Sequence, residues 1–466
     1  NPDSDGKFSL IPVPVSLFYS QDDKEEHEGV EEEEEGGKEQ GAYGHHAHGL
    51  TVLTASVFMI GEMAGSGILA LPKAADGTGY VGFLIMVVCA LVSAYTGDIL
   101  AKCWLTVQDR YDEYKGHIRY PYPAIGQVTY GKFGRVVVSF SINFTMFGGA
   151  IVFLILASQN LQGLLHNLGG IDISFCYLLI IVAGTLCPVA WLGTPKDFWP
   201  IAVGAAGATG VACIVIVVAM MKDHAGEYAV IPVLHSDPAS MDFFPSVGII
   251  LFAFGGHPAF PTFQTDMKVP SKFGKAVFIA YMSILLMYLP VAMTGYFVYG
   301  WAVKSNILLT ISPGPLLYSV QILITLHLFC GFVIVLNPVV QEVEEMLKMS
   351  ISFSWKRIVT RSLMVGLVLF IAETIPKFGT ILSLVGGSTI TILAYVCPPL
   401  FYLKLSAMEG PWPTIVVPFH VKVFLMEILI VGSVIGIMST YSAIKSMASP
   451  GSFTVPCYLN MEEASG

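Results

Sequence analysis

Two apolar segments of the chain carry glycine and proline where a membrane-spanning helix would have to break. The first, 51–71, passes through Gly65-Ser66-Gly67 and stops at Pro72, and the second, 243–263, passes through Gly255-Gly256-His257-Pro258. In hydrocarbon every backbone N–H and C=O needs a partner, so a helix breaks only where protein or a water-filled cavity satisfies the freed groups. Two such breaks at matching positions of two halves indicate a binding site near the bilayer midplane.

The backbone at these breaks can bind opposite charges. A helix that restarts after a break presents unbonded N–H groups and the positive end of its dipole, which suit a carboxylate. A helix that ends presents carbonyls, which suit an ammonium. The expected donors follow Gly65 and are Ser66, Gly67 and Ile68, and the expected carbonyls are those of Phe252, Ala253 and Phe254, beside Gly255. Close helix packing is the alternative explanation for glycine in membrane helices.

Glu62 lies one helical turn before the first break, within an apolar segment. An acid at this depth is costly without a partner or a function, and desolvation favours its protonated form. Two interpretations stay open: Glu62 binds and releases the coupling proton, or it forms a structural hydrogen bond to an unwound carbonyl.

Residues of other segments complete the expected site. His257 either lines the pocket or shares a proton with Glu62, or it is a packed histidine with satisfied hydrogen bonds. We expect Asn143 and Phe147 to face the substrate. Thr325 and Ser319 are hydroxyl ligands for sodium, should sodium be the coupling ion. His327 is interpreted as a structural residue, with Thr325 and Asn337 as its expected partners.

The elements that position these residues are membrane helices. The 466 residues are 54% hydrophobic and 12% charged, with a mean hydropathy of +0.68, and this composition is typical of a polytopic membrane protein. A span needs about 20 mainly apolar residues. Eleven segments qualify: 50–72, 80–104, 135–165, 173–193, 198–221, 243–263, 274–301, 314–346, 356–373, 377–403 and 419–447.

Lysine and arginine are distributed unevenly between alternate loops. Nineteen of the 24 lie on one side with the amino-terminal tail, and five lie on the other, which predicts a cytosolic amino terminus. If spans one to five and six to ten are two copies, the odd number of helices in each makes the repeats inverted.

Two further features of the sequence are its acidic amino-terminal segment and its scattered cysteines. Residues 1–40 contain thirteen Asp or Glu and three Lys, and a segment so poor in apolar residues is expected to be disordered. The eight cysteines are scattered, mostly through apolar runs, and are interpreted as small hydrophobic residues without disulfides or metal.

Several motifs resemble one known family in their order and spacing. Gly65-Ser66-Gly67-Ile68-Leu69-Ala70-Leu71-Pro72 resembles the signature that opens the amino acid/auxin permease family. Phe252-Ala253-Phe254-Gly255-Gly256-His257 and Tyr288-Leu289-Pro290-Val291-Ala292 are similar to the sixth and seventh helices of its lysine/histidine-transporter-like branch, and Asn306-Ile307-Leu308 and Asn337-Pro338 continue the match.

The resemblance implies an all-α LeuT-like fold of 5+5 inverted repeats, with helices one and six broken, and secondary transport of amino acids. The substrate expected is small and neutral, and the coupling ion is a proton, favoured over sodium. The expected membrane is the plasma membrane or an endo-lysosomal or vesicular membrane. The resemblance covers roughly residues 48–447. The expected organisation is an acidic tail (1–47), a transporter domain (48–447) made of repeat one (50–221), repeat two (243–403) and an extra helix (419–447), and an outer tail (448–466).

Other classes of function are weaker candidates. An amino acid sensor that signals through the acidic tail is the main alternative to a symporter. No nucleotide-binding motif occurs in the sequence, which disfavours ATP-driven transport. No cluster of His, Asp or Glu at metal-ligand spacing occurs within the expected spans, which disfavours an intramembrane enzyme. We expect no nucleic-acid partner, no metal and no cofactor beyond H+ or Na+.

Overall fold

The structure is a computed structural model that describes residues 49–116, 118–191, 199–226, 233–237, 242–349 and 354–449, with three isolated residues near the carboxyl terminus. The expected acidic tail, 1–47, and most of the outer tail, 448–466, lie outside the described residues. The disorder expected for the acidic tail stays a prediction.

The described part of the chain is helical, and a lone bridge between Leu50 and Met267 is its only extended pairing. The helices are α1 (Val52–Met63), α2 (Ser66–Thr78), α3 (Tyr80–Arg110), α4 (Pro121–Gly169), α5 (Phe175–Trp191), α6 (Trp199–Ala225), α7 (Phe243–Ala253), α8 (Phe260–Thr265), α9 (Phe273–Tyr299), α10 (Pro315–Met346), α11 (Trp355–Thr374), α12 (Phe378–Val385), α13 (Cys397–Ala407) and α14 (Phe419–Met447).

Eight helical segments of the described chain are long and apolar enough to cross a membrane, and the bent pair α1–α2 makes a ninth. Two expected spans fall short of that standard. The helix at 173–193 is α5, with 17 residues, and the helix at 356–373 is α11, which carries three basic residues in its first two turns. The multi-pass character is confirmed, and the count of eleven stays a prediction.

The first expected break is present, and its second half is longer than expected. The axes of α1 and α2 meet at 62°. The segment was expected to stop at Pro72, but α2 continues through Pro72 to Thr78. The ring is accommodated because Gly295 of α9 faces it, where a Cβ would lie 2.5 Å from the Pro72 Cβ. Membrane helices tolerate such a proline when neighbours satisfy the freed carbonyl.

The second break is also present. Helix α7 ends at Ala253, residues 254–256 are not helical, and a 3-10 turn at His257–Ala259 leads into the short helix α8. Behind this break, two π turns at Gly386–Ile390 and Ile392–Val396 join α12 to α13 within one span. π turns widen a helix locally and are frequent at functional sites.

One glycine with positive φ lies just before α3, and another lies at a kink within α4. Only Gly79, with φ +63°, separates α2 from α3. Helix α4 is 49 residues long but is kinked at Tyr130 and Gly131, whose φ of +62° favours glycine. The expected span 135–165 is the part of α4 beyond this kink. Long-range packing joins α2 to α7, α3 to α9 and α4 to α10.

One cysteine departs from the expectation. Cys176, at the start of α5, is disulfide-bonded, whereas the other six described cysteines are free. The interpretation of all eight as plain hydrophobic residues is therefore wrong at this position. Sequence spacing did not reveal the bond because the pairing is set by the fold and not by local separation.

Candidate functional site

The two breaks pack directly against each other. A Cβ placed on Gly67 would lie 3.0 Å from the Cα of Ala253 and 3.1 Å from its Cβ. On the other side, a Cβ on Gly256 would lie 2.8 Å from Cγ of Met63. The start of α2 and the end of α7 therefore meet at backbone distance, and this contact defines the crossing of the breaks.

The start of α2 is buried and has no side-chain cap. Gly65 is its N-cap residue and supplies no side-chain oxygen, while Ser66 is 2% exposed and Ile68 is fully buried. The first N–H groups of a helix have no intrahelical acceptor, and a buried helix start without a cap requires another partner. The three expected donors, Ser66, Gly67 and Ile68, all lie in this first turn.

The carbonyls that end the half-helices are partly occupied. The Phe252 carbonyl accepts from the N–H of Gly255 at 3.0 Å, and the Phe254 carbonyl accepts from the hydroxyl of Tyr281 at 2.9 Å. The Ala253 carbonyl takes part in neither bond. Of the three expected acceptors, Ala253 is the residue against which Gly67 packs.

Two tyrosines of α9 support both breaks, and the sequence analysis missed them. The hydroxyl of Tyr288 donates to the carbonyl of Met63 at 2.7 Å, as the hydroxyl of Tyr281 does to Phe254. Both side chains are fully buried. Residues seven apart lie on one face of a helix, so the spacing of two tyrosines in an apolar span was the available signal.

Glu62 is placed beside the first break with one oxygen unsatisfied. Its Oε2 is buried and has no hydrogen-bond partner among the described residues. Tyr281 lies near enough to interact electrostatically with Glu62. The expected structural bond from this oxygen to an unwound carbonyl is absent from the described contacts, which leaves a carboxyl group able to carry a proton.

His257 is a packed residue and has no exposed surface. Its Nε2 lies 3.0 Å from Oγ1 of Thr96 on α3, and its Nδ1 lies 3.5 Å from the hydroxyl of Tyr281. Phe260 stacks beside it with ring centroids 4.9 Å apart. Of the expected interpretations, the satisfied packing histidine fits best, although Tyr281 links it to the surroundings of Glu62.

The structure does not bring Asn143 to the breaks. Its amide donates to the Ser139 carbonyl at 2.8 Å and to Glu342 of α10. Phe153 is the aromatic of α4 that reaches Gly65, at 3.6 Å from a Cβ built there. Asn143 lies ten residues before Phe153, or roughly 15 Å along the helix. Phe147 is half-buried against the core, one to two turns short of Phe153.

The two expected sodium ligands differ in their placement. Ser319 is exposed and its hydroxyl donates to the Leu316 carbonyl of its own helix at 2.8 Å. Thr325 has a buried hydroxyl without a partner among the described residues. The structure therefore does not assemble the pair, because the two side chains lie at different depths of α10.

His327 lies closer to the site than its expected role implied. A Cβ on Gly65 would be 3.4 Å from Nε2 of His327, and Nδ1 lies 3.5 Å from Oγ1 of Thr209 on α6. The expected partners were Thr325 and Asn337. Asn337 instead accepts from Arg361, and the hydroxyl of Thr325 has no described bond.

The sequence of the chain matches one family of known membrane proteins. The family model described as "Transmembrane amino acid transporter protein" matches residues 48–445. Among curated proteins of Arabidopsis thaliana, "Amino acid transporter AVT1C" is 26% identical over 83% of this chain and 68% of its own length. "Amino acid transporter AVT1J" is 28% identical over 83% of this chain and 89% of its own length.

Solved structures show the same fold at low sequence identity. A mutant of the manganese transporter of Eremococcus coleocola superposes with a TM-score of 0.52 and 13% identity, covering 86% of this chain and 88% of that one. A second mutant of that transporter gives a TM-score of 0.51 with the same coverage. At this identity the likeness concerns the fold alone.

Proposed function

The chain belongs to the transmembrane amino acid transporter family, and we propose that it is a secondary active transporter that moves amino acids across a membrane by alternating access. Members of this family are transporters and not enzymes, which confirms the prediction on that point.

The buried, uncapped start of α2 carries the proposal. The N–H groups of Ser66, Gly67 and Ile68 bind the substrate carboxylate. The carbonyl of Ala253, across the contact with Gly67, receives the ammonium. Neither charged group of a zwitterion can remain unpaired away from water, and the two helix ends supply both partners without a charged side chain.

The coupling ion is a proton, and Glu62 carries it. Its unsatisfied buried oxygen is costly when the carboxyl group is charged and less so when it is neutral. Binding a proton together with the substrate would therefore favour the loaded state. Sodium is the weaker choice because Ser319 is exposed and bonded within its own helix.

The order of elements supports inverted repeats. A broken pair, α1–α2, opens the first half, and a broken pair, α7–α8, opens the second. Under this proposal the two halves are 50–221 and 243–403, with α14 outside the repeat. The contact of Gly67 with Ala253 supports this arrangement, because inverted repeats bring their two broken helices together.

The amino terminus lies in the cytosol under this proposal. The start of α5 then faces the other side, which is extracellular or lumenal. The disulfide at Cys176 supports that assignment, because disulfides persist in oxidising compartments. The substrate is neutral because the side chains found at the crossing, Met63, Ala253, Phe153 and His327, add no fixed charge beside Glu62.

Purified protein in liposomes tests the function. Uptake of a panel of labelled amino acids is measured with a pH gradient and a sodium gradient imposed separately. We expect uptake of neutral amino acids that follows the pH gradient and is indifferent to sodium. Uptake that needs sodium and ignores pH would refute the coupling, and failure of the whole panel would refute the function.

Glu62→Gln sharpens the test of coupling. The amide keeps the size of the side chain but cannot release a proton, so proton-driven accumulation should fall to the level of the imposed substrate gradient. Exchange of labelled for unlabelled substrate should persist. The matched control is Glu427→Gln, on α14 outside the repeat. Unchanged pH dependence in Glu62→Gln would end the assignment.

A further inference from the structure

His327 is a buried titratable side chain that the proposed transport cycle does not use. It lies on α10 and keeps 7% of its surface exposed. A Cβ built on Gly65, the N-cap residue of α2, would lie 3.4 Å from its Nε2. The imidazole therefore borders the uncapped helix start to which the proposed function assigns the substrate carboxylate.

Helix α6 determines which nitrogen of the ring carries the proton. The hydroxyl of Thr209 donates to the Ala205 carbonyl at 2.9 Å, so its oxygen is left to accept. Nδ1 of His327 lies 3.5 Å from that oxygen, and the Ala205 carbonyl also acts on the ring as a hydrogen-bond acceptor. Because both neighbours are acceptors, the neutral ring carries its proton on Nδ1. Nε2 then presents a lone pair on the side of Gly65.

Packing holds the ring in this position. Phe153 of α4 meets the imidazole edge-on, with ring centroids 6.5 Å apart and an angle of 65° between the planes. Phe153 has room because Gly331, one turn after His327, lacks a side chain, and a Cβ there would lie 2.6 Å from the phenyl ring. No described residue forms a hydrogen bond to Nε2 of His327. The lone pair is thus kept beside the break without a partner in the described chain.

Few titratable groups share this region. Within two turns of the contact on the helices that meet there, α1, α2, α4, α6 and α10, Glu62 is the one carboxyl group, and Cys213 and Cys330 are free thiols. Oε2 of Glu62 has no partner among the described residues and so does not bond to His327. With Glu62 protonated, a charged imidazolium would lack a counter-charge until a carboxylate binds beside it.

A bound carboxylate changes which form of the ring is stable. The neutral ring would set the Nε2 lone pair against a carboxylate oxygen, and two acceptors repel each other. The protonated ring would instead donate a charge-assisted hydrogen bond, which is stronger than a neutral one. The carboxylate therefore favours the protonated ring, and by linkage the proton favours binding of the carboxylate by the same factor.

We propose that His327 takes up a proton as the substrate binds, and that its Nε2–H then donates to the substrate carboxylate beside the N–H groups of α2. This inference rests on the proposed function, which places the carboxylate there. The proton comes from the water on the side from which the substrate enters, and it is released with the substrate on the other side. His327 thereby makes binding depend on both pH and a carboxylate.

The pH dependence of binding tests the proton on His327. The full-length protein carries Glu62→Gln, so that Glu62 contributes no proton, and binding of labelled alanine is measured in lipid nanodiscs. Between about pH 6 and 8 the Kd should rise by up to about tenfold per pH unit, because each binding event takes up one proton. With His327→Gln added, the Kd should stay within about twofold over the same range. A flat Kd in Glu62→Gln alone, or equal slopes in both proteins, would overturn the inference.

Two further variants in the Glu62→Gln background make the assignment specific. His420→Gln is the control for loss of an imidazole, since His420 is exposed on α14, and it should keep the slope. Thr209→Val keeps the shape of the side chain but removes the acceptor at Nδ1. The neutral ring can then carry its proton on Nε2 and donate without a charge, so the slope should become shallower and the Kd near pH 8 lower. An unchanged slope in Thr209→Val would refute the assigned tautomer.

The outcomes separate this inference from the proposed function. Transport in liposomes, together with binding whose pH dependence ignores His327→Gln, would refute the role of His327 alone. Binding whose pH dependence is lost in His327→Gln, without transport by the wild type, would refute the transporter and support the role of His327. Thermal unfolding of each variant in nanodiscs is measured alongside, and Thr209→Val keeps the test decisive where His327→Gln unfolds.

Discussion

Helices α1 and α2 begin in opposite ways, although they form two halves of one apolar segment. At the start of α1, the N–H of Thr54 donates to Oγ1 of Thr51, and the N–H of Thr51 donates to Oγ1 of Thr54. Leu50 just before it exchanges backbone bonds with Asp266 and Lys268. At the start of α2, no side chain caps the first turn, although that turn is buried.

The difference teaches where this chain completes its own hydrogen bonds and where it leaves them for a ligand. A capping box satisfies donors permanently, and it occurs where α1 meets solvent. A serine stands only one position too late to cap α2 in the same way, at Ser66 instead of Gly65. The first turn of α2 therefore has no side-chain acceptor, as the proposed carboxylate site requires.

The largest expected effect comes from closing the crossing itself. In Gly67→Val the new side chain collides with Ala253, so kcat/KM for uptake should fall about 100-fold or more. Gly366→Val is the control, because a Cβ there meets nothing within 4 Å. Uptake in liposomes and monodispersity in detergent are measured together. Near-normal uptake by Gly67→Val would remove the crossing from the mechanism.

Ser66→Pro distinguishes a bound carboxylate from simple helix packing. Proline is well tolerated in the first turn of a helix, yet it removes the N–H of that residue. A hydrogen bond to a charged group contributes about 1.5–3 kcal/mol, so substrate affinity should weaken roughly 10- to 150-fold. Val52→Pro makes the same change at the start of α1 and should leave affinity within about twofold, because the capping box there does not use that N–H.

Binding of the labelled substrate to detergent-solubilised protein measures both variants. Equal affinity in Ser66→Pro and wild type would show that the donors of α2 do not hold the carboxylate. Equal losses in the two variants would show that helix starts in general, and not the α2 start, are sensitive to proline.

A smaller effect is expected at the capped start. Thr51→Ala removes the hydroxyl that accepts from the N–H of Thr54 and leaves the bond from the N–H of residue 51 to Thr54, which should lower stability by about 1 kcal/mol. KM and the substrate profile should not change, because α1 begins far from the crossing. Thermal unfolding in nanodiscs and uptake kinetics are the measurements. A large change in KM with no change in stability would show that the start of α1 affects substrate binding and is not merely a stabilising cap.

The smallest effect is expected from removing residues 1–47. The tail joins α1 at its permanently capped end, so its loss should leave flux in liposomes unchanged. A sensor would instead lose its cytosolic partner, as measured by pull-down with the full chain as control. Loss of flux after deletion would show that the start of α1 takes part in the transport cycle.

The breaks were predictable from the sequence because the cause is local. Gly65 and Gly255 allow the backbone to leave the helical conformation at their own positions. An acidic residue such as Glu62 is easily recognised among apolar neighbours. The family resemblance followed from the motifs at these breaks and beyond, and the multi-pass character followed from composition and the length of the apolar segments. The continuation of α2 past Pro72 did not, because it depends on Gly295, which is far away in sequence.

Residues on the scaffold helices were harder to place. Asn143 and Phe153 belong to one 49-residue helix, and which turn faces the break depends on the kink at Gly131 and on packing against α10. The placement of Ser319 was hard to predict for a similar reason, because the sequence around it does not show at which depth of α10 the site lies. Tyr281 and Tyr288 differ, because their spacing was visible and only their partners were not.

The single residue between α2 and α3 constrains how the protein moves. With Gly79 as the sole joint, and its carbonyl bonded to the N–H of Gly82, α2 has no slack to shift alone. If the proposed cycle displaces α2, the displacement is passed to α3 through this one residue, and α3 is 31 residues long, or about 46 Å. Its far end, at Arg110, bonds to Leu405 of α13. Helix α3 thus connects the first break mechanically to a distant contact with α13.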